Sequence, residues 1–180
     1  MKSIFTREDY LRIYEKLNSV SPIDGDCGKL CEAACCTSTD PDMGIYLLPG
    51  EEQLVMDAAD DFEIEVEDAC EYEVPRSWEG NLYFIRCVNP GKCNRFYRPI
   101  QCKMYPLEPH MANGKLSLIL SSVKTPYVCP LISKKMRLDP IFIKTVYEVW
   151  HELIDDPLIY DLVVFDSATR SPVTQVFPKY

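Results

Sequence analysis

Residues 87–106 read CVNPGKCNRFYRPIQCKMYP, a stretch with three cysteines separated by residues that form turns. Asn89-Pro90-Gly91, Arg98-Pro99 and Tyr105-Pro106 supply the turns. Several thiolates can converge on one point only when the backbone turns away between them. The stretch therefore predicts loops that carry cysteine ligands.

A second cluster precedes it, because residues 27–36 read CGKLCEAACC. If this segment is helical, Cys27, Cys31 and Cys35 lie along one face and Cys36 points elsewhere. We expect at least four of eight clustered cysteines to bind metal, in one site or two. The candidate metal ligands are Cys27, Cys31, Cys35, Cys36, Cys87, Cys93, Cys102 and Cys129.

The chain has nine cysteines among 180 residues, and their number bears on whether the protein is expected in an oxidising or a reducing compartment. The first ten residues lack the apolar stretch of a secretory signal, and the cysteine count is odd, so we expect a cytoplasmic protein with reduced thiols. In that setting, clustered cysteines favour metal or redox chemistry over disulfides.

The net charge of −9 disfavours binding to nucleic acid or to an anionic membrane surface. The longest apolar runs are much shorter than the roughly 20 residues of a transmembrane helix. The expected partner is a metal ion or cluster. The sequence leaves open whether a partner protein binds, and it leaves the oligomeric state open as well.

Charge is distributed unevenly along the chain. Residues 51–79 carry twelve acids and one base, whereas residues 86–137 carry ten bases and one acid. Bases near cysteines favour the thiolate that a metal requires, although they could instead pair with the acidic strand. The bases concerned are Arg86, Lys92, Arg95, Arg98 and Lys103. Cys70 lies in the acidic stretch, where we expect a buried, neutral thiol that binds no metal.

Apolar periodicity predicts an α+β domain that spans residues 1–180, with a cysteine-cluster core at 27–129. An N-terminal helix over 7–19 and a C-terminal amphipathic helix over 140–154, capped by Asp139, follow helical spacing. The expected small sheet lies beneath the second helix. Its strands are predicted near Ile45, Phe62, Leu82 and Leu116, with a helix over 51–60 between the first two. Residues 157–180 are expected to form a tail that packs over the domain or frays.

Motifs of common enzyme classes are missing from the sequence. It has no glycine loop that cradles phosphates, no GxSxG and no HExxH. The acids Glu51 and Glu52 suit a helix N-terminus better than catalysis. His110 and His151 are weaker candidates for metal ligands than the cysteines. These observations favour a role that is not enzymatic.

The order of these motifs resembles that of the YkgJ-type cysteine-cluster proteins. The resemblance covers residues 27–106, with Cys129 as a further member, and its most specific string runs from Arg98-Pro99 through Cys102 to Tyr105-Pro106. That family is described as chelating zinc or iron, often in an iron–sulfur cluster. Its opening motif is commonly CxxCxxCC, one residue tighter in each gap, and arginine is usual where Lys103 stands.

The resemblance implies a metal-binding protein that holds an iron–sulfur cluster, such as [4Fe–4S], or zinc. Its expected role is electron transfer, metal handling or support of a partner enzyme. The alternatives are a catalytic domain related to flagellin lysine N-methylation and a purely structural zinc protein. All-cysteine ligation suits zinc and iron–sulfur clusters alike.

Overall fold

Two capped amphipathic helices form the centre of the fold. In α1 (Arg7–Asn18), the Thr6 side chain accepts a hydrogen bond from the Asp9 backbone N–H, and the Asp9 carboxylate accepts one in return. In α6 (Pro140–Leu153), Asp139 caps the first turn. Both helices are confirmed within a residue or two of their predicted ends.

The computed structural model describes residues 1–37, 43–170 and 173–178. The remaining helices are short except the last. They are α2 (Ala34–Thr37), α3 (Glu52–Val55), α4 (Ile100–Met104), α5 (Pro130–Ser133) and α7 (Pro157–Thr169). Single 3-10 turns occupy Cys27–Leu30, Met56–Asp61, Ala69–Glu71 and Arg95–Tyr97. The helix predicted over 51–60 is therefore α3 followed by a 3-10 segment, with a kink at Ala58.

Six strands form two small antiparallel sheets. The first has the order β1-β3-β2 and the second the order β4-β5-β6. The strands are β1 (Ile45–Tyr46), β2 (Phe62–Asp68), β3 (Asn81–Cys87), β4 (Leu107–Ala112), β5 (Lys115–Leu120) and β6 (Gln175–Phe177). The prediction of one sheet is wrong, because the segment near Leu116 pairs with β4 and β6 instead of β3. Helix α6 contacts β4 and β5, so it packs on the second sheet.

The described residues confirm the α+β class, and their core contains side chains from both central helices. Tyr10, Tyr14 and Ile13 of α1 are fully buried, as is Phe142 of α6. Burial of large apolar side chains is the main stabilising contribution in such a core. None of the helices in the described part of the chain is long and apolar enough to cross a membrane.

The last 24 residues contain more regular structure than the expected tail. Helix α7 begins at Pro157 behind the buried cap Asp156, and β6 pairs with β5. Residues 171–172 and 179–180 of the predicted tail lie outside the described residues. Helix α7 packs on β4, and β6 is an edge strand of the second sheet, which places the C-terminal segment in the domain.

Candidate metal centre

The opening cysteine segment is not the single helix considered from the sequence. The 3-10 turn Cys27–Leu30 is capped by Asp26, whose carboxylate accepts a hydrogen bond from the Gly28 N–H at 3.0 Å. Glu32 and Ala33 then take φ values of 53° and 55°, in the left-handed region. The chain reverses there before α2 begins, so Cys27, Cys31 and Cys35 do not share one helical face.

Helix α2 brings two neighbouring thiols together. The Sγ atoms of Cys35 and Cys36 are 3.9 Å apart. Two thiolates on one tetrahedral zinc, with Zn–S distances near 2.3 Å, would be about 3.8 Å apart. The contact with Cys35 and then the charge of Arg98 lower the pKa of Cys36 to about 6, while the same contact and burial raise the pKa of Cys35.

A second thiol pair lies at the end of β3. Cys87 ends the strand, and its side chain hydrogen-bonds to Cys93, the one buried cysteine of the nine. The Arg98 Nε donates a hydrogen bond to the Cys93 Sγ at 3.3 Å. The hydrogen bond from Cys87, followed by the contacts with Arg98, lowers the pKa of Cys93 to about 5. Cys93 is therefore a thiolate near neutral pH, and the pKa of its donor Cys87 is raised.

Helix α4 places Cys102 beside both pairs. Cys102 is accessible to solvent, but enough protein surrounds its sulfur that desolvation, together with the charge of Cys36, raises its pKa to about 12. The charge of Cys93 acts in the same direction. The pKa of Cys87 also responds to Cys102 and Cys36. Four thiols therefore influence one another in all six pairwise combinations. They are Cys36, Cys87, Cys93 and Cys102.

The remaining candidates are Cys27, Cys31 and Cys129, and Cys27 interacts with the other two and with Cys35. Burial raises the pKa of Cys27, with further contributions from Asp26, Cys31 and Cys129. Cys129 is the N-cap residue of α5 and hydrogen-bonds to the hydroxyl of Tyr105. The charge of Cys27 also raises the pKa of Cys35. Electrostatic interactions of this kind link each of the eight predicted ligands to at least one other. The ligands come from separate segments of the chain.

The sequence left two roles open for the basic residues, either to stabilise thiolates or to pair with acids elsewhere. In the structure, different bases take different roles. Arg98 contacts a thiol, whereas Arg86 pairs with Glu65 of the acidic strand β2. Arg95 pairs with Asp26 at 2.7 Å. The Lys103 ammonium donates to the carbonyl oxygens of Arg95 and Phe96. Arg98 thus donates to a thiol, whereas the contacts given above for Arg86, Arg95 and Lys103 are with carboxylates and carbonyl oxygens.

Cys70 is exposed on the 3-10 turn Ala69–Glu71, so the prediction that it is buried is wrong. Its pKa is raised, as expected, and the first cause is a hydrogen bond to Asp68. The acids Asp68 and Glu71 contribute further through their charges. This environment favours the neutral thiol and sets Cys70 apart from the other eight cysteines.

The two histidines lie on the second sheet and on α6. His110 is part of β4, where burial and the charge of Arg170 lower its pKa. The ring of His151 lies 6.3 Å from that of Tyr147 on the same helix. Both histidines thus lie on elements that carry none of the eight candidate thiols.

Glu51 is the functional candidate that the sequence did not reveal. We expected a solvated helix N-terminal acid, but the side chain is fully buried. Its carboxylate accepts hydrogen bonds from the Tyr14 hydroxyl at 2.6 Å and from the backbone N–H of Ile100 and Leu48 at 2.7 and 2.9 Å. Nothing in the local sequence distinguishes this acid from its exposed neighbours, because its donors are distant in the chain.

The thiols fit a thiophilic metal in chemistry and lie close together in pairs. Within residues 1–37, 43–170 and 173–178, no three His, Cys, Asp or Glu side chains converge closely enough to hold a metal ion. Binding of one metal by Cys36, Cys87, Cys93 and Cys102 would require these four thiols to move closer together. Soft sulfur ligands select zinc and iron–sulfur clusters over hard cations.

Comparisons with known proteins add no relative to this description. No protein-family model, curated protein or solved structure matches the chain. The resemblance to the YkgJ-type proteins stays a prediction that depends on the cysteine motifs and on the Arg98 to Pro106 string.

Proposed function

We propose that this is a cytoplasmic metal-binding protein whose clustered cysteine thiolates hold an iron–sulfur cluster or zinc. Its role is electron transfer, metal handling or support of a partner enzyme. The observation that carries the proposal is that each of the eight clustered cysteines interacts electrostatically with at least one other, and that Cys36, Cys87, Cys93 and Cys102 all interact with one another. Cys70, the ninth, lies apart among acids.

The ionisation of the thiols supports the proposal. A metal binds the thiolate, so a site is easier to load when some ligands are already deprotonated. Cys36 and Cys93 have pKa values of about 6 and 5, well below those of ordinary thiols. The interactions with Cys35, Cys87 and Arg98 therefore favour the thiolate form of Cys36 and Cys93 without metal.

Cys36, Cys87, Cys93 and Cys102 would hold one metal or cluster, and Cys27, Cys31, Cys35 and Cys129 are the remaining ligands for a second. A bound iron–sulfur cluster supplies one-electron chemistry, whereas zinc supplies a fixed structural or Lewis-acid centre. The Arg98 guanidinium offsets the excess negative charge of four thiolates and orients Cys93 through its hydrogen bond.

Anaerobic purification without added metal, followed by elemental analysis and an absorption spectrum, tests this function. We expect stoichiometric zinc in a colourless protein, or iron with sulfide and visible absorption. Neither metal at stoichiometric level would contradict the proposal.

The matched variants are Cys93→Ser, Cys102→Ser and Cys70→Ser. We expect the first two to lower the metal-to-protein ratio, because each removes a ligand from the mutually close group. Cys70→Ser should leave the ratio unchanged, since that thiol faces acids. Loss of metal in the Cys70 variant, or full retention in both others, would show that the ligands are assigned wrongly.

A further inference from the structure

The buried carboxylate of Glu51 joins three parts of the fold. The residue itself is the N-cap of α3, Tyr14 lies on α1 and Ile100 is the first residue of α4. One oxygen accepts from both Tyr14 and Ile100, and the other accepts from Leu48. An ionised carboxylate only accepts hydrogen bonds, so three donors suit it well.

The contact with Ile100 replaces a missing helix cap. The first N–H groups of a helix have no partner within the helix and are usually satisfied by an N-cap side chain. The N-cap residue of α4 is Pro99, which makes no side-chain hydrogen bond to the helix. Glu51, which is 49 residues away in the chain, satisfies the Ile100 N–H instead.

The same helix carries Cys102, two residues after Ile100. Helix α4 has five residues, so the position of its first turn determines where the Cys102 sulfur lies. Lys103 of the same helix donates to the backbone carbonyls of Arg95 and Phe96 in the Arg95–Tyr97 turn. The Glu51 contact with Ile100 and the Lys103 contacts with that turn therefore fix α4 at two points.

We propose that Glu51 is a positioning residue for Cys102, and that it acts through its hydrogen bond to the Ile100 N–H. The inference rests on the proposed function, because it concerns a ligand of that metal site. Glu51 itself does not ligate the metal. Its role is to hold the start of α4 so that the Cys102 thiolate stays beside Cys36, Cys87 and Cys93.

Two conservative variants distinguish the effect of the position of the Glu51 carboxylate from the effect of its charge. Glu51→Gln keeps the length of the side chain and a carbonyl oxygen that can accept from Ile100 and Tyr14, but it removes the charge. Glu51→Asp keeps the charge but withdraws the carboxylate by about 1.5 Å, the length of one C–C bond. At that distance the Ile100 and Leu48 N–H groups are beyond normal hydrogen-bond range.

The measurement is the affinity for Co²⁺ and Zn²⁺ by competition with a chelator, with the thiolate-to-cobalt charge-transfer absorption as the spectroscopic signature. Loss of an outer contact to a metal ligand commonly costs about 10- to 100-fold in affinity. We expect a loss of that size for Glu51→Asp, with weaker charge-transfer absorption. Glu51→Gln should bind within about threefold of wild type.

Tyr14→Phe is the control for general destabilisation. It removes another hydrogen bond to the same carboxylate oxygen but leaves the Ile100 contact. Thermal stability should fall, while metal affinity and the charge-transfer spectrum stay unchanged. A loss of metal affinity equal to that of Glu51→Asp would assign Glu51 a merely structural role and overturn the inference.

A double-mutant cycle tests whether Glu51 acts through Cys102. In the Cys102→Ser background, Glu51→Asp should cause no further loss of affinity, because the ligand that it positions is gone. Additive losses would overturn the inference, and so would weaker binding by Glu51→Gln than by Glu51→Asp. Wild-type protein that binds neither Co²⁺ nor Zn²⁺ and also holds no iron–sulfur cluster would instead refute the proposed function, and the inference with it.

Discussion

Replacing Arg98 with methionine should weaken metal binding near neutral pH and make it more dependent on pH. The guanidinium donates to the Cys93 sulfur at 3.3 Å. Together with the stronger contribution of the Cys87 hydrogen bond, it lowers the pKa of Cys93 to about 5. Methionine fills a similar volume but has neither charge nor donor, so the pKa of Cys93 should rise.

The size of the effect follows from the fraction of thiolate. With a pKa of about 5, Cys93 is almost fully ionised at pH 7.5. A thiol at the ordinary value of 9.0 would be only about 3% thiolate, which sets an upper limit of about thirtyfold on the loss of affinity. The Cys87 hydrogen bond remains in the variant, so we expect a loss of about 3- to 30-fold.

The sign of the pH dependence is also determined. Metal binding requires the thiolate, so a thiol that is still protonated must release its proton when the metal binds. The variant should therefore release more protons per bound metal than wild type at pH 7.5. Its deficit in affinity should shrink as the pH rises above 9, where the thiol ionises in both proteins.

Isothermal titration with Zn²⁺ in buffers of different ionisation enthalpy measures both the affinity and the proton release. Arg86→Met is the matched control, because Arg86 precedes Cys87 in the sequence but pairs with Glu65. It should bind like wild type. Equal affinity and equal proton release for Arg98→Met and wild type would refute the reasoning, as would an equal effect of both substitutions.

Two further predictions concern the stability of the fold. Phe142→Ala removes a fully buried ring from α6 and should lower the free energy of unfolding by about 3–5 kcal/mol in a urea titration; the exposed Ile141→Ala is the control. Asp156→Ala removes the α7 cap, whose carboxylate also accepts from the Ser3 hydroxyl at 2.6 Å, and should cost about 2–4 kcal/mol by the same measurement. A change below 1 kcal/mol in either variant would contradict these contacts.

Local signals were enough to predict the two central helices. Asp139 marks the start of α6, and apolar residues recur at helical spacing in both helices. The same Asp-Pro signal occurs at Asp156-Pro157 and could have revealed α7. The sequence analysis did not predict α7, because the apolar residues of that helix are spread over all its faces and its sequence therefore has no amphipathic period.

Strand pairing and the second sheet depended on contacts that the sequence does not state. The alternation over Phe62–Asp68 predicted a strand but not its partner, since any half-buried strand shows that period. Strand β4 was missed because Pro109 and His110 interrupt it. Proline is tolerated there because β4 is an edge strand of its sheet.

The candidate site was predictable in composition but not in geometry. Clustering identified the eight cysteines, and the bases among them pointed to Arg98 as well as to Arg86 and Arg95. Only the folded structure separates these three, because their partners lie on different segments. The left-handed residues Glu32 and Ala33, which split the opening segment, carry no glycine or asparagine signal.

The relation between the thiols and the core bears on why the cysteines are present. A structural zinc site commonly compensates for a core that is too small. Here the described residues form a core built on the aromatic and aliphatic side chains of α1 and α6, and Cys93 is the one buried cysteine. Cys27, Cys87 and Cys129 are partly buried against that core, whereas Cys35, Cys70 and Cys102 are exposed, so apolar packing explains only part of the set. The charge of Arg98, which acts on Cys36, Cys93 and Cys102, and the lowered pKa values of Cys36 and Cys93 favour the proposed metal centre on a fold that is stabilised elsewhere.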